Sequence, residues 1–80
     1  MKREDFKLLI ESIGFKHNNG YYIFKEFKIY LYYSIQYDFF QYDFYNGSEW
    51  VLGISLNDLT PLENNFKNEL RSYKLKVLLR

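Results

Sequence analysis

Residues 36–56, QYDFFQYDFYNGSEWVLGISL, form the stretch that decides the fold. Apolar residues alternate with polar ones on both sides of Asn46-Gly47, a dipeptide that is typical of the turn of a β-hairpin. The pattern therefore predicts two antiparallel strands joined at this turn, and we expect them to form the centre of a sheet.

The register of this hairpin is predicted from the position of its charged residues. A two-residue loop would pair Asp43 with Trp50 and place a carboxylate among apolar side chains, which is costly unless the charge is paired. A loop one residue longer pairs Tyr42 with Trp50 and puts Gly47 at the left-handed position of a turn with a bulge. We therefore predict the three-residue loop, with the even-numbered residues of both arms facing the core.

A further strand is predicted over residues 27–33, where apolar residues again alternate. Together with the hairpin it gives one apolar face of the sheet. The expected core residues are Phe27, Ile29, Leu31, Phe40, Tyr42, Phe44, Trp50, Leu52 and Ile54.

Two helices are predicted to flank the strands. Apolar residues recur at helical spacing over about residues 3–13, and Gly14 follows as a natural terminator. A second helix is expected over about residues 61–78, with Thr60 and Glu63 forming a capping box. Alternation after Ser72 leaves a strand at residues 73–79 as an alternative, but the absence of Gly and Pro favours a helix.

A turn cluster at residues 18–20 predicts a short hairpin that pairs residues 15–17 with residues 21–24. The order of elements is then helix, strands and helix. The chain is therefore predicted to be a single α+β domain over residues 1–80, an antiparallel β-meander of four or five strands flanked by the two helices.

One short repeat lies within the central stretch. The tetrapeptide QYDF at residues 36–39 recurs at residues 41–44, and the offset of five is an odd number. In an unbroken strand the two copies would point to opposite faces. We expect the first copy to lie in a loop or at the entrance of a strand.

Composition limits the chemistry of the chain. There is no cysteine, so disulfides and thiolate chemistry are excluded and a cytoplasmic location is expected. No apolar run is long enough for a membrane span, and the N-terminal residues carry acids unlike a secretion signal. His17 is the single histidine, and the acids match no metal-binding loop. We therefore expect no enzyme activity, no catalytic or metal-binding residues and no cofactor.

The face opposite the predicted core also carries aromatic residues, and the sequence leaves two arrangements open. The two helices could cover opposite faces of the sheet, or both could cover one face and leave the other as an aromatic surface. In the second arrangement this surface would bind a protein partner. The predicted partner-binding residues are Tyr30, Tyr32, Tyr37, Asp38, Phe39, Asp43 and Glu49.

Charge is unevenly distributed along the chain. Residues 36–60 contain four acids and no base, which favours a basic partner for the aromatic surface. The C-terminal residues are basic and predict an alternative role in nucleic-acid binding, which is less favoured because so few bases are present. The residues of that alternative are Arg71, Lys74, Lys76 and Arg80.

No motif identifies a family. Alanine is absent, whereas Lys, Asn, Ile, Phe and Tyr, the residues of A+T-rich codons, are abundant. In overall character the chain resembles the small accessory proteins of A+T-rich phages and mobile elements. The resemblance implies an inhibitor or adaptor, such as an anti-defence (anti-CRISPR-like) protein that blocks a nuclease or another nucleic-acid-binding complex. A homo-oligomer that closes the aromatic face on itself is a further alternative.

Overall fold

The computed structural model describes the backbone of residues 1–78 and the side chains of residues 1–73. Five strands form one antiparallel sheet in the order β1-β2-β3-β4-β5, so every strand pairs with its neighbour in sequence. The predicted α+β meander is confirmed. The elements are α1 (Arg3–Ile13), β1 (Lys16–Asn18), β2 (Tyr21–Phe24), β3 (Phe27–Ser34), β4 (Phe39–Tyr45), β5 (Trp50–Ser55), α2 (Thr60–Asn65) and α3 (Lys67–Leu78).

Helix α1 has the predicted bounds. Its buried residues are Phe6, Leu9, Ile10 and Ile13, at the spacing of one helical face. Gly14 ends the helix with a φ of 132°, and its N–H donates to the carbonyl groups of Ile10 and Glu11. A Cβ at Gly14 would lie 2.7 Å from the ring of Phe24, so this position needs glycine for space as well as for its backbone conformation.

The C-terminal region is helical to Leu78, but the predicted continuous helix is interrupted at Phe66, which has a φ of −134° and a ψ of 43°. The ring of Phe66 is buried against Phe15, Phe27 and Phe44, with centroids 5.6, 4.8 and 6.3 Å away. Burial of a large aromatic ring here outweighs the continuity of one helical turn. Residue 79, the last of the alternative strand, lies outside the described residues.

The predicted capping box is wrong. Thr60 is already the first residue of α2, and its side chain makes no capping hydrogen bond. Asp58 serves instead, because its Oδ1 accepts a hydrogen bond from the Thr60 N–H at 3.1 Å. Hydrogen bonding with the Thr60 side chain, and then with the Thr60 N–H, lowers the pKa of Asp58.

The register of β4 and β5 also differs from the prediction. Tyr45 pairs with Trp50, and the loop between them has four residues rather than three. Asn46 holds the loop: its N–H donates to the Glu49 carbonyl at 3.1 Å, and its side-chain oxygen accepts from the N–H groups of Ser48 and Glu49. Local hydrogen bonding by this asparagine side chain favours the longer loop.

A β-bulge in β5 reverses the side-chain pattern within that strand. Leu52 and Gly53 together oppose the single residue Asp43, and Gly53 has a left-handed φ of 65°. The Gly53 N–H donates to Asp43 Oδ1 at 2.9 Å. Before the bulge Trp50 and Leu52 point away from the core, whereas Ile54 after it points inward.

The predicted core is corrected accordingly. Tyr42, Phe44, Ile29 and Ile54 are buried as expected. Phe27, Leu31 and Phe40 pack against the core in part. Trp50 and Leu52 are 40% and 69% exposed, so their predicted core positions are wrong.

Both helical regions cover the same face of the sheet. The ring of Phe6 in α1 lies 4.7 Å from that of Tyr42, and Phe66 contacts Phe44 on the next inward position of β4. Leu62 and Leu70 are buried in the same cluster. Of the two arrangements that the sequence leaves open, the structure has the one with a single covered face.

Tyr42 places a polar hydroxyl group within this core. Its side chain has no exposed surface, and its hydroxyl donates to the Asp58 carbonyl oxygen at 2.6 Å. Burial raises the pKa of Tyr42 strongly, and the charges of Asp58 and Glu63 raise it further. The bond therefore ties β4 to the segment that leads into α2.

Substitution of Gly53 tests the bulge. Gly53 is left-handed, and a Cβ there would meet only ordinary van der Waals contact, 4.0 Å from Gln41 Oε1, so backbone strain should dominate. We expect Gly53→Val to lower the free energy of unfolding by about 1–2 kcal/mol, and Gly53→Asn to cost clearly less because asparagine tolerates this conformation. Urea denaturation measures both. Equal stability of Gly53→Val and the wild type would contradict the bulge.

Substitution of Tyr42 tests its hydrogen bond. Tyr42→Phe should lower the free energy of unfolding by about 1–2 kcal/mol near neutral pH, because the Asp58 carbonyl loses its donor. The pKa of Tyr42 is higher in the folded than in the unfolded protein. The neutral Tyr42 phenol therefore contributes its full share of the free energy of unfolding below the unfolded pKa of about 10, and this contribution declines above that pH. Denaturation at neutral and alkaline pH should show the two proteins converge as pH rises. Tyr30→Phe, on an exposed ring, is the control.

Candidate binding face

The face of the sheet opposite the helices is the candidate site, and it is called the open face below. Strand pairing brings its side chains together: Tyr30 lies opposite Asp43, Tyr32 opposite Gln41, and Tyr45 opposite Trp50. By register, the residues of the open face include Lys16, Tyr21, Ile23, Lys28, Tyr30, Tyr32, Phe39, Gln41, Asp43, Tyr45, Trp50 and Leu52.

Five of these residues surround a pocket of about 270 Å³, called the aromatic pocket below; they are Tyr21, Tyr30, Asp43, Trp50 and Leu52. The rings of Tyr21 and Trp50 approach to 6.1 Å although β3 and β4 separate their strands. Tyr30 lies 5.6 Å from Tyr21 and completes the aromatic wall. The three rings remain 40–42% exposed, so the pocket is open to solvent.

Asp43 supplies the charge at this pocket. The bulge fixes its carboxylate through the Gly53 N–H, as described above. The neighbouring Tyr32 hydroxyl donates to Gln41 Oε1 at 3.2 Å, and Gln41 is buried beneath it. Burial raises the pKa of Tyr32, and the negative charge of Asp43 raises it further. Tyr32 therefore stays neutral near pH 7, while the open face carries the carboxylate at its centre.

The structure brings only part of the predicted partner-binding set together. Tyr30, Tyr32 and Asp43 lie on the open face as expected. Phe39 shares their side of β4 but lies at its far end, four residues from Asp43. These predicted residues thus extend along the face rather than forming one cluster.

The remaining predicted residues lie in turns. Tyr37 and Asp38 belong to the turn between β3 and β4, where Asp38 has a left-handed φ of 58° and accepts a hydrogen bond from the Tyr33 hydroxyl. Glu49 is exposed in the hairpin loop, directly before Trp50.

Sequence reasoning did not place Tyr21, Tyr45, Trp50 and Leu52 on the open face. For Trp50 and Leu52 the available signal was Gly53, since an isolated glycine within a strand indicates a bulge. Tyr21 and Tyr45 follow from strand register, which short turns alone do not fix.

The basic residues predicted for nucleic-acid binding do not lie on the open face. Arg71 is exposed on α3, whose Leu70 is buried on the covered side of the sheet. Lys74 and Lys76 lie on the α3 backbone, but their side chains are outside the described part of the chain, as is all of Arg80. The open face and this helix therefore do not form one surface.

The described residues contain no group of three or more His, Asp or Glu side chains that could hold a metal ion. His17 is exposed on β1, with its ring 5.0 Å from that of Tyr22. Within residues 1–78, no helix is long and apolar enough to cross a membrane.

No protein-family model matches the chain, and no curated protein or solved structure is significantly similar to it. The open face is therefore interpreted from its own geometry.

Substitution of Asp43 tests how the bulge and the pocket are connected. Asp43→Ala removes the acceptor of the Gly53 N–H and should lower the free energy of unfolding by about 1–2 kcal/mol. Asp43→Asn keeps an oxygen at that position and should cost less than half as much. Chemical denaturation compares the two variants. A loss of stability that is the same for both would mean that charge, not the acceptor, holds the bulge.

Proposed function

We propose that this protein is a small non-enzymatic binding protein, an inhibitor or adaptor, that uses its open face to bind a protein partner. The observation that carries the proposal is the one-sided covering of the sheet. Tyr21, Tyr30, Trp50 and Leu52 remain exposed together on the face that lacks helices. Contiguous exposed apolar patches on small proteins commonly mark interaction sites.

The residue types of the open face support a protein partner. Tyrosine and tryptophan are enriched among the residues that dominate binding energy at protein interfaces. The rings of Tyr30 and Tyr32 stack at 5.4 Å, and those of Tyr45 and Trp50 lie at the same separation, so the surface is already ordered before binding. A preordered aromatic surface loses little side-chain freedom on association.

The charges favour a basic partner. Asp43 lies in the centre of the open face, Glu49 stands beside Trp50, and Asp38 lies beyond the far end. Two bases, Lys16 on the edge strand β1 and Lys28 on β3, lie on the same side by register, and the Lys28 Nζ lies 5.7 Å from the centroid of the Tyr45 ring. These acids would repel the phosphates of a nucleic acid and attract a basic protein surface.

Within this class, the narrower role proposed is that of an anti-defence protein of a phage or mobile element. A nuclease complex binds nucleic acid in a basic groove, and an acidic aromatic surface could occupy such a groove in place of the nucleic acid. The composition of the chain, typical of A+T-rich genomes, supports this origin.

Affinity capture with matched variants tests the proposal. We expect the wild type to capture a specific protein from host lysate, and Trp50→Ala or Tyr30→Ala to weaken binding of that purified protein about tenfold or more. Leu8→Ser is the control, because Leu8 is 60% exposed but lies on α1, on the other side of the sheet. Titration calorimetry with the purified partner measures the change.

Two outcomes would contradict the proposal. Capture that is unaffected by Trp50→Ala and Tyr30→Ala would place binding elsewhere. A dimer in light scattering that becomes a monomer with Trp50→Ala would mean that a second copy of the chain, not another protein, covers the open face.

A further inference from the structure

The aromatic pocket has the chemistry of a receptor for an organic cation. We propose that it receives an arginine side chain of the protein partner, with the guanidinium group against the aromatic rings and the Asp43 carboxylate. The inference rests on the proposed protein-binding function and names the group that the open face recognises.

The arrangement of the walls supports a bound side chain rather than a flat contact. Tyr21 is inclined by 49° to Tyr30 and by 46° to Trp50, so the three rings are tilted to one another and border a shallow, solvent-open pocket instead of stacking flat. Leu52 lines the same space. The volume of about 270 Å³ admits a planar charged group together with part of its methylene stem.

The electrostatics of the pocket favour a positive ligand. Aromatic rings present a negative face, and a cation near such a face is attracted to it. Asp43 adds a full negative charge among the same residues. Neither Lys16 nor Lys28 lines the pocket, and Lys28 lies instead over the ring of Tyr45. A phosphate or carboxylate ligand would be repelled by Asp43, the charged residue of the pocket.

The chemistry of the walls distinguishes arginine from lysine. A guanidinium group is planar, stacks on aromatic rings and donates in a fork that matches a carboxylate, whereas an ammonium group is compact and strongly hydrated. Gly53 donates one hydrogen bond to Asp43 Oδ1, and an ionised carboxylate can accept about four in total. Asp43 is thus held in place by the bulge and still has acceptor capacity for a ligand.

The Gly53 bulge makes the pocket possible. It turns Trp50 and Leu52 onto the open face and orients the carboxylate of Asp43 between them and Tyr30. Bulges that redirect side chains in this way are frequent next to functional sites. The site is therefore present before the ligand arrives, which lowers the cost of binding.

Titration of the full chain with a small probe tests the inference. Trp50 is the only tryptophan, so its fluorescence reports on the pocket directly. Nα-acetyl-arginine methylamide should change this fluorescence saturably, with a Kd in the millimolar range, about 1–10 mM. The citrulline analogue, which has the same shape without the charge, should give no saturable change, and the lysine analogue should bind more weakly.

Variants then assign the binding to the pocket. Asp43→Asn keeps the acceptor for Gly53 but removes the charge, and Tyr21→Leu removes one wall; each should weaken arginine binding about five- to tenfold. Leu8→Ser on the covered side should leave the Kd unchanged. Backbone amide shifts in NMR spectra confirm that each variant is folded.

Several results would overturn the inference. They are an absence of saturation up to roughly 100 mM probe, an equal response to citrulline, tighter binding of the lysine analogue, or an unchanged Kd in folded Asp43→Asn. These results do not depend on the partner. If the probe fails but Trp50→Ala still abolishes partner capture, the arginine site is wrong and the protein-binding function stands. If the probe binds but no partner depends on the open face, the proposed function is wrong.

Discussion

The hydrogen bond from the Gly53 N–H to Asp43 Oδ1 is the interaction on which the candidate site depends. It belongs to a bulge in which two residues of β5 oppose one of β4, and this extra residue reverses the inward and outward positions along the strand. As a result one strand serves both faces. Its first half supplies Trp50 and Leu52 to the open face, and its last residues bring Ile54 and the following Leu56 into the core.

A chain of 80 residues has enough apolar surface for a single well-packed core, and both helical regions contribute to that core from one side. Phe66 shows how packing of this core affects the backbone, because Phe66 departs from helical geometry and its ring contacts rings from β2, β3 and β4. The opposite face therefore stays uncovered by the described elements. Its aromatic rings compensate in part by packing against each other.

Much of the architecture could be predicted from sequence because it depends on local signals. The spacing of apolar residues and Gly14 define α1 to the residue, and the repeat at residues 36–39 lies in a turn and strand entrance as its odd offset suggests. The turn at Asn18–Gly20 gives the short first hairpin. The register of β4 and β5 is not predicted correctly, since it depends on the loop that Asn46 holds and on the bulge at Gly53.

The errors concentrate at the site. Trp50, Leu52, Ile54 and Leu56 alternate perfectly in sequence, so a regular strand accounts for them until Gly53 is read as an interruption. The charge of Asp43 predicts its separation from tryptophan, whereas in the structure its carboxylate accepts a backbone N–H and lies partly buried in the same pocket as Trp50. Sequence-level rules of side-chain patterning commonly fail at functional or strained sites.

The strand order described above also governs how the chain acquires its structure. Because every strand pairs with the one before it, each pairing closes a short loop and none waits for a distant segment. Folding of such a meander is fast for a β-rich protein, and it can proceed in the direction of synthesis as the ribosome releases the chain. Because α2 and α3 follow the sheet in sequence, they are synthesised last and complete the core on the side opposite the aromatic residues.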